Sequence, residues 1–297
     1  MGTFEPTRNL ALELVRVTEA AALSAGRFMG RGQKEAADKA AVDAMRLVMN
    51  SIQMDGVIVI GEGEKDKAPM LYNGEKLGTG DPPKVDIAVD PVDGTRPLAN
   101  GIWNAIGVVA LAPRGTMYNP GPIVYMNKIA VGSEAKDAID INAPIKDNLI
   151  KIAKARGEDV DDLTVVVLDR PRHAELIDEI RACGARISLI PDGDVAGAIM
   201  TCWKNSRIDV LMGIGGTPEG VLAAAALRCM GGGIQGKLYP RTPEEAEKGR
   251  RMGYNLDQVL TIDDLIHSDD VFFAATGITN GDLLRGVDYF ADGAETD

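Results

Sequence analysis

Apolar residues recur at two different spacings along the chain, and the change of spacing divides it near residue 132. Apolar side chains at every third or fourth position predict an amphipathic helix over 8–29 and a second helix over 34–54. Short apolar or alternating runs predict strands at 57–60, 85–89, 105–112 and 123–131. The first 132 residues are therefore predicted to form a helix pair that covers a mostly antiparallel sheet.

The second part of the chain alternates strand and helix patterns. A stretch rich in Ala, Asp and Lys at 132–147 is the candidate domain boundary. Strand patterns then occur at 163–168, 187–190, 208–212 and 271–275, and helix patterns at 173–183, 195–203 and 218–230. Such alternation is typical of a mainly parallel sheet with crossover helices. We predict an α/β protein with one lobe over 1–132 and a second over 133–297.

Acidic residues cluster at element ends in the first lobe. Asp90, Asp93 and Thr95 lie in a turn directly after a strand, and Glu62 follows the strand at 57–60. Clustered oxygen ligands on a rigid turn suit hard divalent cations, although an isolated acidic turn is usually only solvated. Asp38 continues the apolar stripe of the second helix, where a carboxylate is costly unless it is paired. Alternatively, Asp38 lies close enough to the start of the helix to be solvated or to interact favourably with the helix dipole.

The loops after the strands of the second lobe add cationic and acidic groups. Ligands gather at the carboxyl ends of parallel strands, which here are 169–173, 191–194 and 213–219, the last of which contains Glu219. An oxygen-only ligand set suits magnesium or manganese and disfavours zinc. Two such cations beside arginines indicate a phosphate ester, with one ion activating water and the other stabilising the leaving oxygen. Thr95 could accept a hydrogen bond from that water and pass its own proton to a carboxylate.

Composition narrows the classes of function. A net charge of −12 argues against a nucleic-acid binder and against an anionic membrane surface. Cys183, Cys202 and Cys229 have no ligand-like spacing and indicate thiols in a reducing cytoplasm. No apolar run is long enough for a spanning helix or typical of a signal peptide. We therefore expect a cytoplasmic protein that binds neither nucleic acid nor membrane.

Two motifs carry a resemblance to a known superfamily. Asp90-Pro91-Val92-Asp93-Gly94-Thr95, preceded by Gly61-Glu62-Gly63-Glu64, resembles the signature of the lithium-sensitive, magnesium-dependent sugar phosphatases. These include inositol monophosphatases and fructose-1,6-bisphosphatases. Further segments resemble class II fructose-1,6-bisphosphatases along essentially the whole chain: 34–38, 58–64, 68–72, 170–173, 191–195 and 213–220.

The resemblance implies a layered αβαβα fold with the site between the lobes, and it implies a role for each matching residue. Asp38 and Glu62 match the ligands of one catalytic metal, and Asp90, Asp93 and Glu219 match those of the other. Thr95 matches the hydroxyl that helps to activate water. The implied cofactors are Mn²⁺ or Mg²⁺, with two or more ions per site. The expected substrate contacts are Lys34, Asp93, Gly94, Thr95, Tyr125, Arg170, Pro171, Arg172, Asp192, Gly193, Asp194 and Gly216.

The implied activity is that of a phosphoric monoester hydrolase. It removes the 1-phosphate of fructose 1,6-bisphosphate to give fructose 6-phosphate in gluconeogenesis. The alternatives are a dual fructose/sedoheptulose bisphosphatase, an inositol monophosphatase-like enzyme, and a non-catalytic, metal-dependent anion-binding protein. Asp93 departs from the Glu that this class often carries, and the chain ends at Asp297, short of a further strand that we expect of the family. We also expect a homo-oligomer, either a dimer or a tetramer.

Overall fold

The computed structural model describes residues 9–61 and 71–297 as alternating layers of helix and sheet. The helices are α1 (Leu10–Ala25), α2 (Lys34–Met49), α3 (Thr95–Asn100), α4 (Ile145–Arg156), α5 (Ala174–Ala182), α6 (Asp194–Met200), α7 (Thr217–Met230), α8 (Pro243–Arg251) and α9 (Ile262–Leu265). The strands are β1 (Asp55–Ile60), β2 (Lys76–Leu77), β3 (Lys84–Asp93), β4 (Ile106–Pro113), β5 (Tyr125–Val131), β6 (Thr164–Leu168), β7 (Arg186–Ile190), β8 (Val210–Gly216), β9 (Gly233–Leu238), β10 (Leu260–Thr261), β11 (Phe272–Gly277), β12 (Asp288–Phe290) and β13 (Gly293–Glu295).

The first sheet has the strand order β11-β4-β3-β1-β2, and the helix pair α1 and α2 packs on one of its faces. Its strands pair antiparallel except for β1 and β3, which are parallel. The prediction of a mostly antiparallel sheet under a helix pair is therefore confirmed. The second helix is shorter than predicted because it ends at Met49, after which the chain turns into β1.

The second sheet has the order β10-β9-β5-β8-β6-β7 and is mixed rather than mainly parallel. Among the described strands, β6 pairs parallel with β7 and with β8, whereas β5 pairs antiparallel with both β8 and β9. The assignment of β5 to the first sheet was wrong, and β11 returns from the second part of the chain to the first sheet. A hydrophobic run shows that a strand is buried but does not identify the sheet that it joins.

Three apolar clusters fill the spaces between the layers and confirm the predicted αβαβα arrangement. One joins α1 and α2 to the first sheet, and another joins α4 and α5 to the outer face of the second sheet. The third surrounds α6 and α7, which lie between the two sheets. Every residue of α7 from Gly220 to Leu227 is buried, as expected of an alanine-rich helix with a sheet on either side.

No helix in the described ranges is long and apolar enough to cross a membrane. The two-lobe division at residue 132 stays a prediction. β5, which precedes that boundary, pairs with strands that follow it.

Candidate active site

A cleft of 350 Å³ lies where strands of both sheets end near α6 and α7. It brings together twelve of the site residues predicted from the sequence, although they come from distant parts of the chain. These are Lys34, Asp90, Asp93, Gly94, Thr95, Tyr125, Arg170, Arg172, Asp192, Asp194, Gly216 and Glu219.

Four other predicted site residues are not among the residues described as lining the cleft. Asp38 is 6% exposed and lies one helical turn after the cleft residue Lys34 on α2. Pro171 and Gly193 are not among the described lining residues, although each lies next to residues that are. Glu62 lies outside the described residues, so its role as a metal ligand stays a prediction.

The turn after β3 has the tight geometry that its sequence predicts. The pairing register with β4 shifts between Asp90 and Asp93, and the Asp90 carboxylate accepts a hydrogen bond from the Val92 N–H at 3.0 Å. Gly94 has a φ of +98°, a backbone conformation that only glycine adopts readily. Thr95 then begins α3 and donates its hydroxyl proton to the Val92 carbonyl oxygen at 3.1 Å.

Asp93 lies deepest among the carboxylates of the turn, since it is only 4% exposed. Burial raises the pKa of Asp93 well above its usual value, and the negative charges of Asp194, Glu219 and Asp192 raise that pKa further. The Ala196 N–H donates to Asp93 Oδ2 at 3.4 Å and opposes the shift. The cleft therefore concentrates negative charge that a bound cation would offset.

Glu219 lies in the first turn of α7 and folds back over the residue that precedes this helix. A Cβ atom at Gly216 would lie 1.7 Å from Glu219 Oε2 and 2.5 Å from its Cδ. The backbone of Gly216, with φ −68° and ψ 143°, is one that any residue adopts. Glycine is therefore needed here for the space that the carboxylate occupies and not for the backbone conformation.

The loop after β6 brings two arginines to the cleft. Arg172 donates from Nε and Nη2 to the Ile214 carbonyl oxygen at 3.1 and 2.7 Å, and its guanidinium lies 5.4 Å from the centre of the Tyr125 ring. Arg170 forms an ion pair with Asp192 at 3.4 Å. An arginine has five N–H donors, so both side chains keep donors for an anion.

A buried histidine connects this loop to the end of β8. The Ile214 N–H donates to His173 Nε2 at 2.8 Å, so this nitrogen is unprotonated. The opposite nitrogen, Nδ1, lies 2.7 Å from the Leu168 carbonyl oxygen and is therefore the one that carries the proton. Burial and the positive charges of Arg172 and Arg170 lower the pKa of His173, which favours the neutral ring. His173 thus supports the arginine loop from outside the cleft.

Sequence reasoning missed three residues at or beside the site. Arg96 and Asn73 line the cleft. Lys128 lies in the middle of β5, is only 3% exposed, and forms an ion pair with the cleft residue Asp194. A lysine in a strand whose other residues are mainly apolar was a usable signal, because a buried ammonium needs a specific partner.

The donor set of the cleft fits a hard divalent cation. The acidic residues that line it are Asp90, Asp93, Asp192, Asp194 and Glu219, and neither His nor Cys occurs among the described lining residues. Oxygen-only donors suit magnesium or manganese. Within 9–61 and 71–297, no three His, Cys, Asp or Glu side chains stand in an arrangement that could already hold a metal ion. The assignment of individual ligands therefore stays a prediction.

Comparison with known proteins gives matches over nearly the full chain. The family model described as bacterial fructose-1,6-bisphosphatase, glpX-encoded, matches residues 8–297. Fructose-1,6-bisphosphatase class 2 of Haemophilus influenzae is 49% identical over 293 residues, which cover 94% of this chain and 88% of that protein. Fructose-1,6-bisphosphatase 1 class 2 of Escherichia coli K12 is also 49% identical, with coverages of 94% and 87%.

Among solved structures, the extragenic suppressor protein suhB of Bartonella henselae is similar over 65% of this chain and 71% of that one. It has a TM-score of 0.38 and 16% identity. An extragenic suppressor from Pyrococcus furiosus matches 64% of this chain and 68% of its own, with a TM-score of 0.33 and 12% identity. The full-length family match and the 49% identical relatives decide the assignment. This chain belongs to the family of bacterial, class 2 fructose-1,6-bisphosphatases.

Proposed function

We propose that this chain hydrolyses the 1-phosphate of fructose 1,6-bisphosphate and releases fructose 6-phosphate and phosphate, a step of gluconeogenesis. The proposal rests on the observation that both acidic and cationic side chains line the cleft. Carboxylates that suit cations line the same space as the cationic side chains of Lys34, Arg96, Arg170 and Arg172. A sugar with two phosphates needs both kinds of group, and the volume of the cleft lies within the usual range for small-molecule sites.

The residues expected to hold the metal ions form two groups. Asp38 and Glu62 would hold one ion, and Asp90, Asp93 and Glu219 would hold another. Bound divalent ions supply Lewis acidity and offset the negative charge of the phosphate in the transition state. Mn²⁺ or Mg²⁺ is the proposed metal, because every acidic donor in the described part of the cleft offers oxygen.

Thr95 is the proposed residue for orienting the attacking water. Its hydroxyl proton points to the Val92 carbonyl oxygen, so the lone pairs of Oγ1 remain to accept a hydrogen bond from water. The side chain lines the cleft directly after the acidic turn that contains Asp93. Transfer of the Thr95 proton to a carboxylate would require the hydroxyl to rotate away from Val92.

Arg172 and Tyr125 are the proposed contacts of the phosphate that is not cleaved. The Ile214 carbonyl oxygen and the Tyr125 ring hold Arg172 from two directions, which limits the rotamers that substrate binding must select. Less rotamer freedom before binding means a smaller entropy cost on binding. Arg170 and Asp192 continue the same wall of the cleft.

The cellular location of the protein and its self-association are also proposals. The free state of Cys183, Cys202 and Cys229 supports the reducing cytoplasm as its location. We also propose self-association into a dimer or tetramer, with Leu12 and Leu47, 67% and 76% exposed, as candidate contacts. Light scattering of the purified protein tests the oligomer directly, and a monomer at micromolar concentration would contradict it.

The test of function is phosphate release from a panel of substrates. The panel contains fructose 1,6-bisphosphate, sedoheptulose 1,7-bisphosphate, fructose 6-phosphate and inositol 1-phosphate, each with Mn²⁺, with Mg²⁺ or with a chelator. We expect metal-dependent release of one phosphate from fructose 1,6-bisphosphate. Equal turnover of the sedoheptulose ester would show dual specificity, and preference for inositol phosphate would show the monophosphatase alternative. Tight binding of bisphosphate without turnover would refute an enzymatic role.

A pair of variants on one strand separates chemistry from folding. Asp90→Asn removes a carboxylate of the cleft and should abolish most metal-dependent turnover. Asp86 lies four residues earlier on β3, outside the described cleft lining, and accepts hydrogen bonds from the backbone N–H groups of Gly115, Thr116 and Met117. Asp86→Asn should therefore lower stability while leaving the turnover of the folded protein near that of the wild type.

A further inference from the structure

Lys128 is a buried cation outside the described cleft lining and close to two of the lining residues. It lies in the middle of β5, and only 2% of its side chain is exposed. Moving an ammonium group out of water is costly unless an opposite charge and hydrogen bonds replace the solvent. The position of this lysine therefore calls for a structural explanation.

The Lys128 ammonium connects two parts of the cleft wall. Its Nζ atom lies 2.5 Å from Asp194 Oδ2, at the start of α6, and donates a hydrogen bond to the Gly216 carbonyl oxygen at 3.0 Å. Asp194 and Gly216 both line the cleft. One nitrogen therefore holds the first residue of α6 beside the end of β8.

Two glycines provide the space for this arrangement. A Cβ atom at Gly215 would lie 2.0 Å from Asp194 Oδ2 and 2.8 Å from Lys128 Nζ. A Cβ atom at Gly220 would lie 2.5 Å from Met126 Sδ and 3.3 Å from Lys128 Cδ. Neither glycine has a left-handed backbone, so close packing explains their small size better than backbone conformation does.

We propose that Lys128 is a positioning residue for the sugar-bisphosphate substrate, because it holds the Asp194 carboxylate in one orientation against the Gly216 carbonyl. The inference rests on the proposed function and adds to it a residue that does not touch the substrate. With Oδ2 engaged by Lys128, the other oxygen of Asp194 is the one that would accept a hydrogen bond from a substrate hydroxyl. The ammonium also compensates the Asp194 charge, which would otherwise repel substrate phosphates.

The experiment is a double-mutant cycle with steady-state kinetics on fructose 1,6-bisphosphate. Lys128→Met and Asp194→Asn should each raise KM about 10- to 100-fold, the usual effect of losing a hydrogen bond to a charged group. The kcat of each variant should stay within about 3-fold of wild type, because neither side chain reacts with the phosphate. The double variant should have the KM of Asp194→Asn, because Lys128 acts through Asp194 and has no further effect once that carboxylate is removed.

Lys237→Met is the matched control. Lys237 lies on the neighbouring strand β9 and donates to Asn142 at an exposed position, so its removal should leave KM unchanged. Gly215→Ala is a second route to the same effect, because its methyl group would displace Asp194 Oδ2 from Lys128 without removing either charge. Its KM should rise as in Lys128→Met.

The cycle remains decisive if Lys128→Met fails to fold. The double variant removes both buried charges and should fold, since replacing a whole buried pair costs less than removing one partner. A KM equal to that of Asp194→Asn supports the inference, whereas a further rise refutes it. Unchanged KM in folded Lys128→Met, or effects that multiply in the cycle, also refute it. Absence of wild-type turnover would instead refute the proposed function.

Discussion

Replacement of Gly216 by alanine should separate metal activation from folding. The added methyl group would lie 1.7 Å from Glu219 Oε2, far inside van der Waals contact. The backbone accepts alanine without strain, since φ is −68° at this position. The Glu219 side chain must therefore move, and its carboxylate leaves the position in which the resemblance places a metal ligand.

The expected effect on stability is small because two contributions oppose each other. Forcing the Glu219 side chain into a less favourable rotamer costs about 0.5–1.5 kcal/mol. Restricting the unfolded chain by a glycine-to-alanine change contributes about 0.4–1 kcal/mol in the opposite direction. The free energy of unfolding should therefore change by less than about 1 kcal/mol.

The effect on metal activation should be much larger. Displacing groups that order a metal site commonly costs about 10- to 100-fold in metal affinity or activity. We therefore expect the Mn²⁺ concentration for half-maximal turnover to rise about 10- to 100-fold in Gly216→Ala. Glu219→Gln should also raise the Mn²⁺ concentration for half-maximal turnover, because it removes the carboxylate that Gly216→Ala displaces.

The assay is a Mn²⁺ titration of phosphate release, together with urea unfolding of the same preparations. Gly26→Ala serves as the control, because its methyl group would also meet the end of a side chain, Tyr289 Oη at 2.7 Å, and both residues lie outside the described cleft lining. The control should show a wild-type Mn²⁺ titration. An unchanged titration in folded Gly216→Ala would refute the placement of Glu219 in the metal site.

Three further predictions concern the water, the metal and the arginine loop. Thr95→Ala should lower kcat by about two to four orders of magnitude, the usual loss when help with proton transfer is removed, and Thr95→Ser should recover most of it. Asp38→Ala should weaken Mn²⁺ activation at saturating substrate, as the Mn²⁺ titration will show. The contribution of neutral His173 to the free energy of unfolding should be complete above pH 6.5, the ordinary pKa of the ring. As the pH falls below 6.5, this contribution should decline, because the unfolded chain takes up the proton before the folded protein does. Urea midpoints measured across this range should show the decline in wild type and a weaker one in His173→Gln.

Each of these expectations has a result that contradicts it. Near-normal kcat in Thr95→Ala would make this hydroxyl structural. An unchanged Mn²⁺ titration would remove Asp38 from the metal site. A wild-type urea midpoint that stays constant below pH 6.5, the ordinary pKa of His173, would show that protonation of this ring does not oppose folding.

The residue pattern was sufficient for the local structure and for much of the cleft. Apolar spacing predicted α1 and α2, and the acidic turn at Asp90 and Asp93 was recognisable from its strand, its proline and its glycine. These features depend on neighbours in the chain, so a single sequence contains the information. The motifs also led to the family, which the full-length match confirms.

Only the tertiary structure decided which distant groups meet. The pattern of β5 predicted a buried strand, but its pairing with β8 and β9 placed it in the second sheet. That pairing brings Lys128 to Asp194, 66 residues away, and to Gly216, 88 residues away. Hydrophobic spacing shows that a residue is buried, whereas its partners depend on how whole layers pack. The acidic turn was therefore predictable from sequence, whereas the partners of the buried lysine required the fold.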